Sequence, residues 1–377
     1  MYDDPTFKPS VAEIVLIHTM FAIMFCRIAS RASQDASHKS SLNRSSNFHY
    51  HYALGFFPQL MASHTLADVQ ALALLCLHVR NLPEPGTCWM LASISLNLAI
   101  ELGLHRSAKN WAPTASKRSV LEIEIRKRVF WSILVVQVIV AGNLGRPMAL
   151  SSGDWDVEMP EKVDDDYLSE ERIDTSRGQC NFLTGLQAFR IVPIYLDLFN
   201  SIYAVKRSPQ NYEATIRSLE RRVHQFNEQY LREIVSESSM ENELGRVHAQ
   251  YCQIWPLHIR LLLRHPALSL TSSLEFNTEN LDVCLEVSKK MLGHVQQLQK
   301  YRSLDGTWQT GALYVLAIAT TLFGHWERRD KITPDDLATL RTDMESWLTI
   351  MDDVGTLLGM SQNDLSVSSS LTVNRIR

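Results

Sequence analysis

Four groups of residues in this chain have the types and spacing to do chemistry. Asp164-Asp165-Asp166 and Asp352-Asp353 are carboxylate clusters of the kind that hold magnesium against a diphosphate. Gly145-Arg146-Pro147 puts a guanidinium fork on a tight turn, a geometry suited to phosphate or carboxylate. Arg126-Lys127-Arg128, with Lys117 and Arg118 nearby, is the sort of basic cluster that contacts nucleic acid or directs nuclear import. Cysteines at 26, 76, 88, 180, 252 and 284 supply thiols for metal binding or redox work.

Context weakens each of these readings. The Asp164 cluster falls in a loop after Pro160 rather than on a helix lining a cavity, and no second carboxylate triad stands at helical spacing. Glu122 and Glu124 interrupt the basic cluster at pairing distance along a helix, so it reads as a solvated face. Arg146 reads as a residue that holds its loop to helix-end carbonyls and to Asp154 or Asp156. His105-Arg106 follows Gly103, where positive charge suits the negative end of a helix dipole, and Phe130 and Trp131 read as core anchors. No Cys-x2-Cys pair occurs, so the cysteines read as buried small hydrophobes in a reducing compartment, and no structural zinc is expected. G-x-S-x-G, H-E-x-x-H, G-x-x-x-x-G-K and G-x-G-x-x-G are all absent, so no enzyme is expected. The 37 basic and 41 acidic side chains give a net charge of −4, without the basic stripe by which a self-sufficient DNA binder displaces counterions.

Helices must position these residues. With 45% hydrophobic and 21% charged residues and only 15 Gly and 13 Pro, the composition is that of a helix-rich globular protein, and no strand-like alternation competes. The expected fold is all-α, a large multi-helix array of antiparallel helical hairpins without significant sheet. One domain is expected over residues 1–360, with a disordered tail over 361–377. Val11 to Ile28 reads as a first helix, since Glu13, His18 and Arg27 argue against a signal peptide or a membrane span. Residues 31–47, polar and serine-rich, read as a mobile loop. Thr65, with Asp68 three places on, opens a helix through Leu72, Leu75, Cys76 and Val79 that stops near Asn81-Leu82-Pro83. Thr87 opens the next, through Trp89, Ile94, Leu98 and Leu102, and Gly103 closes it. Ser119, at capping-box spacing from Glu122, opens a third through Ile125, Val129, Ile133, Val136 and Val140. The charged first half of that helix is expected at the surface and its FWSILVVQVIVA half in the interior. A long loop over 143–176 follows, then helices near 177–207, 210–237, 241–264, 277–300, 307–327 and 334–357.

Several short pieces recur in a fixed order along these elements. LADVQALALLCLHVRN carries Gln70, Ala71 and Leu72; GTCWMLASISLNLAIELGLHR carries Trp89 near its start and Leu102-Gly103-Leu104-His105-Arg106 at its end. EIRKRVFW carries Arg126, Arg128, Phe130 and Trp131, the next loop carries Gly145-Arg146-Pro147, and an acidic stretch carries Asp156 and Pro160. Together they resemble the fungal-specific transcription factor domain, the regulatory middle region of fungal zinc-cluster transcription factors, from Val11 to Leu270. LHIRLLLRHPAL resembles that family's L-L-L-H-R-P helix end with Arg264 and His265 transposed, and Gln137-Val138 stands where the family usually has Asp-Arg.

The resemblance implies a nuclear role in gene regulation, exerted through other domains, through coregulators or a full-length zinc-cluster factor, or through a small-molecule effector. Zinc is implied only for an N-terminal cluster that residues 1–377 do not carry, so no cofactor, no direct DNA contact and no membrane association are expected of this chain. A lost upstream exon, a natural short form that pairs with a full-length factor, and a degenerate relative used as a binding module all fit. The alternative is a helical interaction or small-molecule-binding protein without a direct part in transcription.

Overall fold

The computed structural model describes residues 6–31, 36–82, 84–110, 118–175, 180–206, 211–231, 233–234, 243–265 and 270–357. Over these residues the protein is all-α: twelve α-helices, short 3-10 turns, one π turn, and a single isolated bridge between Leu168 and Ile173. The chain divides into two compact units, Met1–Leu144 with Ala149–Val192 and Gly145–Met148 with Pro193–Arg377. The tail expected to be disordered lies outside the described residues.

The first unit holds α1 (Val11–Arg31), α2 (Ala36–Leu54), α3 (Phe57–Ser63), α4 (Leu66–Val79), α5 (Pro85–Glu101) and α6 (Val120–Asn143), and it takes in the start of α7 (Leu183–Ser201). Helix α4 starts as its sequence dictates: the Thr65 amide donates to Asp68 at 2.7 Å and the Asp68 amide donates back to the Thr65 hydroxyl at 3.3 Å. At α6 only half of the expected box forms among the described contacts. The Glu122 amide donates to Ser119 at 3.1 Å, while the Glu122 carboxylate pairs with Arg118.

The serine-rich stretch expected as a loop over 31–47 is instead helical from Ala36 onward. Its polarity hides a face: Leu42, Ser46, Tyr50 and Ala53 recur at helical spacing, and the last three are buried against the first unit. The small Ser46 lets α2 lie close on α1, where its hydroxyl donates to the Ala22 carbonyl at 2.7 Å. The apolar side of α1 supplies the burial that the α2 sequence lacks on its own. Helices α1 and α2 thus form an antiparallel hairpin, as do α4 and α5.

The second unit holds the rest of α7, α8 (Tyr212–Phe226), α9 (Glu243–Arg264), α10 (Leu274–Lys300), α11 (Trp308–Glu327) and α12 (Pro334–Leu357). Its core brings Leu261 of α9, Val287, Met291 and Val295 of α10, Tyr314 of α11 and Trp347 and Ile350 of α12 into one buried cluster. Gly324 lets α11 approach α10, because a Cβ there would stand 2.7 Å from Leu285. Helix α9 runs antiparallel to α10, and α10 antiparallel to α11.

Each unit buries a histidine that stays neutral. His78 of α4 is 1% exposed, lies 4.9 Å from the Tyr50 ring, and burial, with the nearby His51, pushes its imidazole down to about 4. His258 of α9, hydrogen-bonded to the Tyr195 hydroxyl at 2.9 Å, is likewise pushed down to about 4 by burial. The unfolded chain binds protons on these rings below about pH 6.5, whereas the folded chain does not until near pH 4. Stability is therefore full above that window and falls as the pH drops through it, by roughly 3 kcal/mol for each ring. Urea titrations from pH 7 to pH 4 should show this loss, and His78→Phe should flatten it for the first unit. An unchanged slope in that variant would remove His78 from the account.

Candidate functional site

The motif residues converge on one side of the first unit, beginning where α5 ends. Gly103 adopts φ +69°, its amide donating to Ile100 at 2.9 Å while the Leu104 amide reaches back to Ala99 at 2.9 Å. Leu104 is then buried and the chain leaves the helix as the segment His105–Ser107. The His105 carbonyl accepts the amides of Asp156 and Val157 at 3.1 and 3.2 Å. Arg106 grips the Asp156 carboxylate with two nitrogens, at 3.0 and 3.3 Å, and the Ser107 amide donates to the same carboxylate at 2.8 Å. The Ser107 hydroxyl and Lys109 both reach Glu158, at 2.8 and 3.0 Å. Arg106 is thus engaged with a loop 50 residues away, beyond the helix-dipole role expected of it. Burial, with the adjacent Arg106 charge, holds the His105 ring below its ordinary range.

Helix α6 secures the next stretch of the same loop. The Glu124 side chain is 1% exposed; it accepts Arg128 Nε at 3.1 Å and the Glu161 amide at 2.9 Å, and Lys127 stands 3.6 Å away. Arg128 continues to the Val163 carbonyl at 3.2 Å and to Asp165 at 2.5 Å, and its guanidinium lies 4.2 Å over the Phe182 ring. One turn on, the Trp131 indole donates to the Glu158 carbonyl at 3.1 Å and packs among Phe130, Trp155 and Phe189. Arg126 turns to α5, donating to the terminal Leu102 carbonyl at 2.6 Å. Pro160 is buried within this arrangement, which works as a clasp holding residues 156–165 across α5 and α6.

The basic cluster is therefore not the solvated face that its charge pattern suggested. Glu124 and Arg126 are buried, at 0% and 7% exposure, because the loop covers the first half of α6 and Glu124 turns its cationic neighbours inward. Asp164 caps the short turn Asp165–Tyr167 and Asp165 serves Arg128, so two of the three carboxylates of the cluster are used in structure. Burial pushes the Cys76, Cys252 and Cys284 thiols up to about 12 and Cys88 up to about 11, which keeps them protonated. Among the described residues no group of three or more His, Cys, Asp or Glu is placed to hold a metal ion.

Other motif residues lie elsewhere. Gln70 and Trp89 are half-buried on α4 and α5, and Gly145, at φ +61°, opens an exposed turn that carries Arg146 and Pro147. Asp154 folds back on Ser151, accepting its amide at 2.6 Å and its hydroxyl at 2.8 Å. Gln137, standing where the family usually has Asp, is 1% exposed, and no hydrogen-bond partner reaches its side-chain oxygen among the described residues. Sequence reasoning missed Glu158, Trp155 and Phe182 and the partner of Asp165, which it placed in a carboxylate cluster; of the pairings that make the clasp, only the i,i+4 spacing of Glu124 and Arg128 had a local signal. A cavity of about 20 Å³ between α4, α5 and α6, lined by Ala73, Cys76, Ala92, Ile133 and Val136, has room for little more than one water.

The chain is 22% identical over 359 residues to activator of stress genes 1 of Saccharomyces cerevisiae, covering 91% of this chain and 36% of that protein. It is 26% identical over 160 residues to an ABC-transporter-regulating transcription factor of Aspergillus oryzae, covering 42% of this chain and 17% of that protein. It is 24% identical over 251 residues to the transcriptional activator protein acu-15 of Neurospora crassa, covering 65% of this chain and 26% of that protein. The chain thus spans little more than a third of the longest-matched of these relatives. No solved structure matches it. The model of the fungal specific transcription factor domain matches residues 5–230, more than half of the 377 residues and the whole of the clasp, and the chain belongs to that family.

Proposed function

We propose that this chain is the regulatory part of a fungal transcription regulator, acting in the nucleus through protein contacts rather than by catalysis. The family match over residues 5–230 carries the reading. The clasp supports it, since the polar residues of the motifs hold loop to helix in place of presenting a nucleophile or a metal site. A net charge of −4 and cysteines scattered from 26 to 284 supply neither a phosphate-binding stripe nor a zinc cluster within these residues. DNA recognition in the working regulator is then assigned to other protein, covalently joined or bound.

The test is a tethering experiment. Residues 1–377 fused to a heterologous DNA-binding domain should change the output of a reporter bearing that domain's site. The purified chain should bind promoter DNA only weakly and without sequence preference at physiological salt. A chain that leaves the reporter unchanged and is excluded from nuclei would overturn the regulatory reading in favour of a helical binding protein outside transcription.

A further inference from the structure

The α1–α2 hairpin presents an apolar face that the first unit leaves uncovered. On α1, Met20 is 61% exposed and Phe21, Met24 and Ile28 are each more than 40% exposed; on α2, Phe48 is 65% and Tyr52 45% exposed. The two rows are contiguous through His49, whose ring lies 5.2 Å from Phe21 and 5.5 Å from Phe48, with Phe48 in turn 6.5 Å from Tyr52. The hairpin is held together beneath this face by the His18–His49 contact at 2.9 Å and the Ser46–Ala22 hydrogen bond.

Charge along the hairpin is mostly positive. Arg27 follows Met20 and Met24 by seven and three residues, and Arg44 precedes Phe48 by four, so both exposed arginines flank the apolar rows at helical spacing. No Asp or Glu occurs in α2, the one in α1, Glu13, is turned to the Ser10 amide and hydroxyl at the far end, and over residues 11–54 four cations, Arg27, Arg31, Lys39 and Arg44, outnumber two acids, Glu13 and Asp35. This local excess of cations stands against a chain of net −4. Two unbranched thioether side chains among aromatic rings make a surface that repacks around different apolar shapes.

We propose that this face docks an amphipathic helix of a partner protein, one whose apolar stripe is flanked by acidic residues. The apolar side chains would lie between the Met20–Met24 and Phe48–Tyr52 rows, with carboxylates reaching Arg27 and Arg44. A second copy docked through this same face lacks that complement, because the face offers the same cations and no acid. An anionic bilayer also attracts cations, but two arginines contribute only about 1 kcal/mol each there. Asn43, Asn47 and His51, exposed beside Phe48, would have to be desolvated by lipid and can stay wet at the rim of a helix. The inference does not depend on the regulatory reading, since a binding protein outside transcription would present the same face.

A displayed library tests it: helical peptides of about twenty residues with Leu, Phe, Met or Trp on one face and Glu, Gln or Lys at the flanks. Selection on the whole chain should enrich Glu at the flanks. The best peptide, made synthetically, should lose about tenfold or more in affinity for Arg27→Glu/Arg44→Glu and for Met20→Ser/Phe48→Ser. These four residues are exposed, and an unchanged circular dichroism melt shows that the variants fold. The proposal is overturned if no peptide is enriched, if enriched peptides show no acidic bias, or if both double variants bind as tightly as the parent. It is equally overturned if the face is occupied by self-association in sedimentation, or if the chain binds phosphatidylserine vesicles and those vesicles compete the peptide away.

Discussion

Arg264→Ala should destabilise the second unit by about 3–5 kcal/mol, the range expected when one member of a buried ion network is removed. Arg264 is 2% exposed at the last turn of α9, and its guanidinium reaches two other helices, α8 and α10. One nitrogen donates to Asn280 at 2.8 Å and stands 3.1 Å from Glu279, the other pairs with Glu220, and the Phe276 ring lies 5.2 Å away. Glu220 also pairs with Arg260 at 3.3 Å, so α8, α9 and α10 share one set of charges. Taking Arg264 away leaves Glu220 with half of its compensation and Asn280 with no donor for its oxygen. Hydrogen exchange read separately over α8, α9 and α10 is the measurement, because a two-unit chain need not unfold in one step. Replacing Glu220 and Arg264 together by Leu and Met should recover part of the loss, since an apolar pair avoids their desolvation cost while Arg260 and Asn280 still lose a partner. A single variant costing under about 1 kcal/mol would mean that water, and not Asn280 and Glu220, solvates this guanidinium in solution.

The same network shows where sequence reading reaches and where it stops. Helices with an apolar face and a cap declare themselves locally: Thr65 with Asp68, Gly103 at the end of α5 and the charge-free half of α6 each behave as their spacing requires. Helix α2 does not, because its stability comes from α1 and its serines look like loop until their small size is seen to permit close packing. The first half of α6 misleads for a related reason. Its Glu and Arg residues are spaced for mutual pairing on a surface, and what buries them is a loop some 35 residues farther along, contacting Glu124 at Glu161 and Arg128 at Val163. The motif residues of the site were visible one by one. Their pairings, Arg106 with Asp156 and Arg264 with Glu220, join positions 50 and 44 apart, and no local pattern encodes such a distance. The sequence shows Arg264 and His265 transposed relative to the family's helix end, and in the structure it is the arginine that is buried, which the transposition alone did not foretell.

Glu124→Leu should release the clasp, at a cost of about 3–5 kcal/mol to the first unit. The carboxylate is a buried acceptor shared by Arg128 and the Glu161 amide, with Lys127 close by. An apolar side chain of similar length fills its space but takes the acceptor away from the Arg128 guanidinium, whose side chain is only 19% exposed, and from the Glu161 backbone N–H. Arg128 keeps its contacts with Val163 and Asp165, but these lie on the loop itself and move with it. Faster hydrogen exchange should therefore appear first at residues 156–165 and at the first turns of α6, while α9 to α12 keep their protection. Glu124→Gln separates charge from hydrogen bonding: its side-chain oxygen can still accept from Glu161, so it should cost less than the Leu variant and leave the loop protected. If tethered Glu124→Leu still folds and drives the reporter as the parent does, the clasp is scaffolding alone. If reporter output falls while Glu124→Gln retains it, the loop that the clasp holds is part of the surface through which the regulator acts.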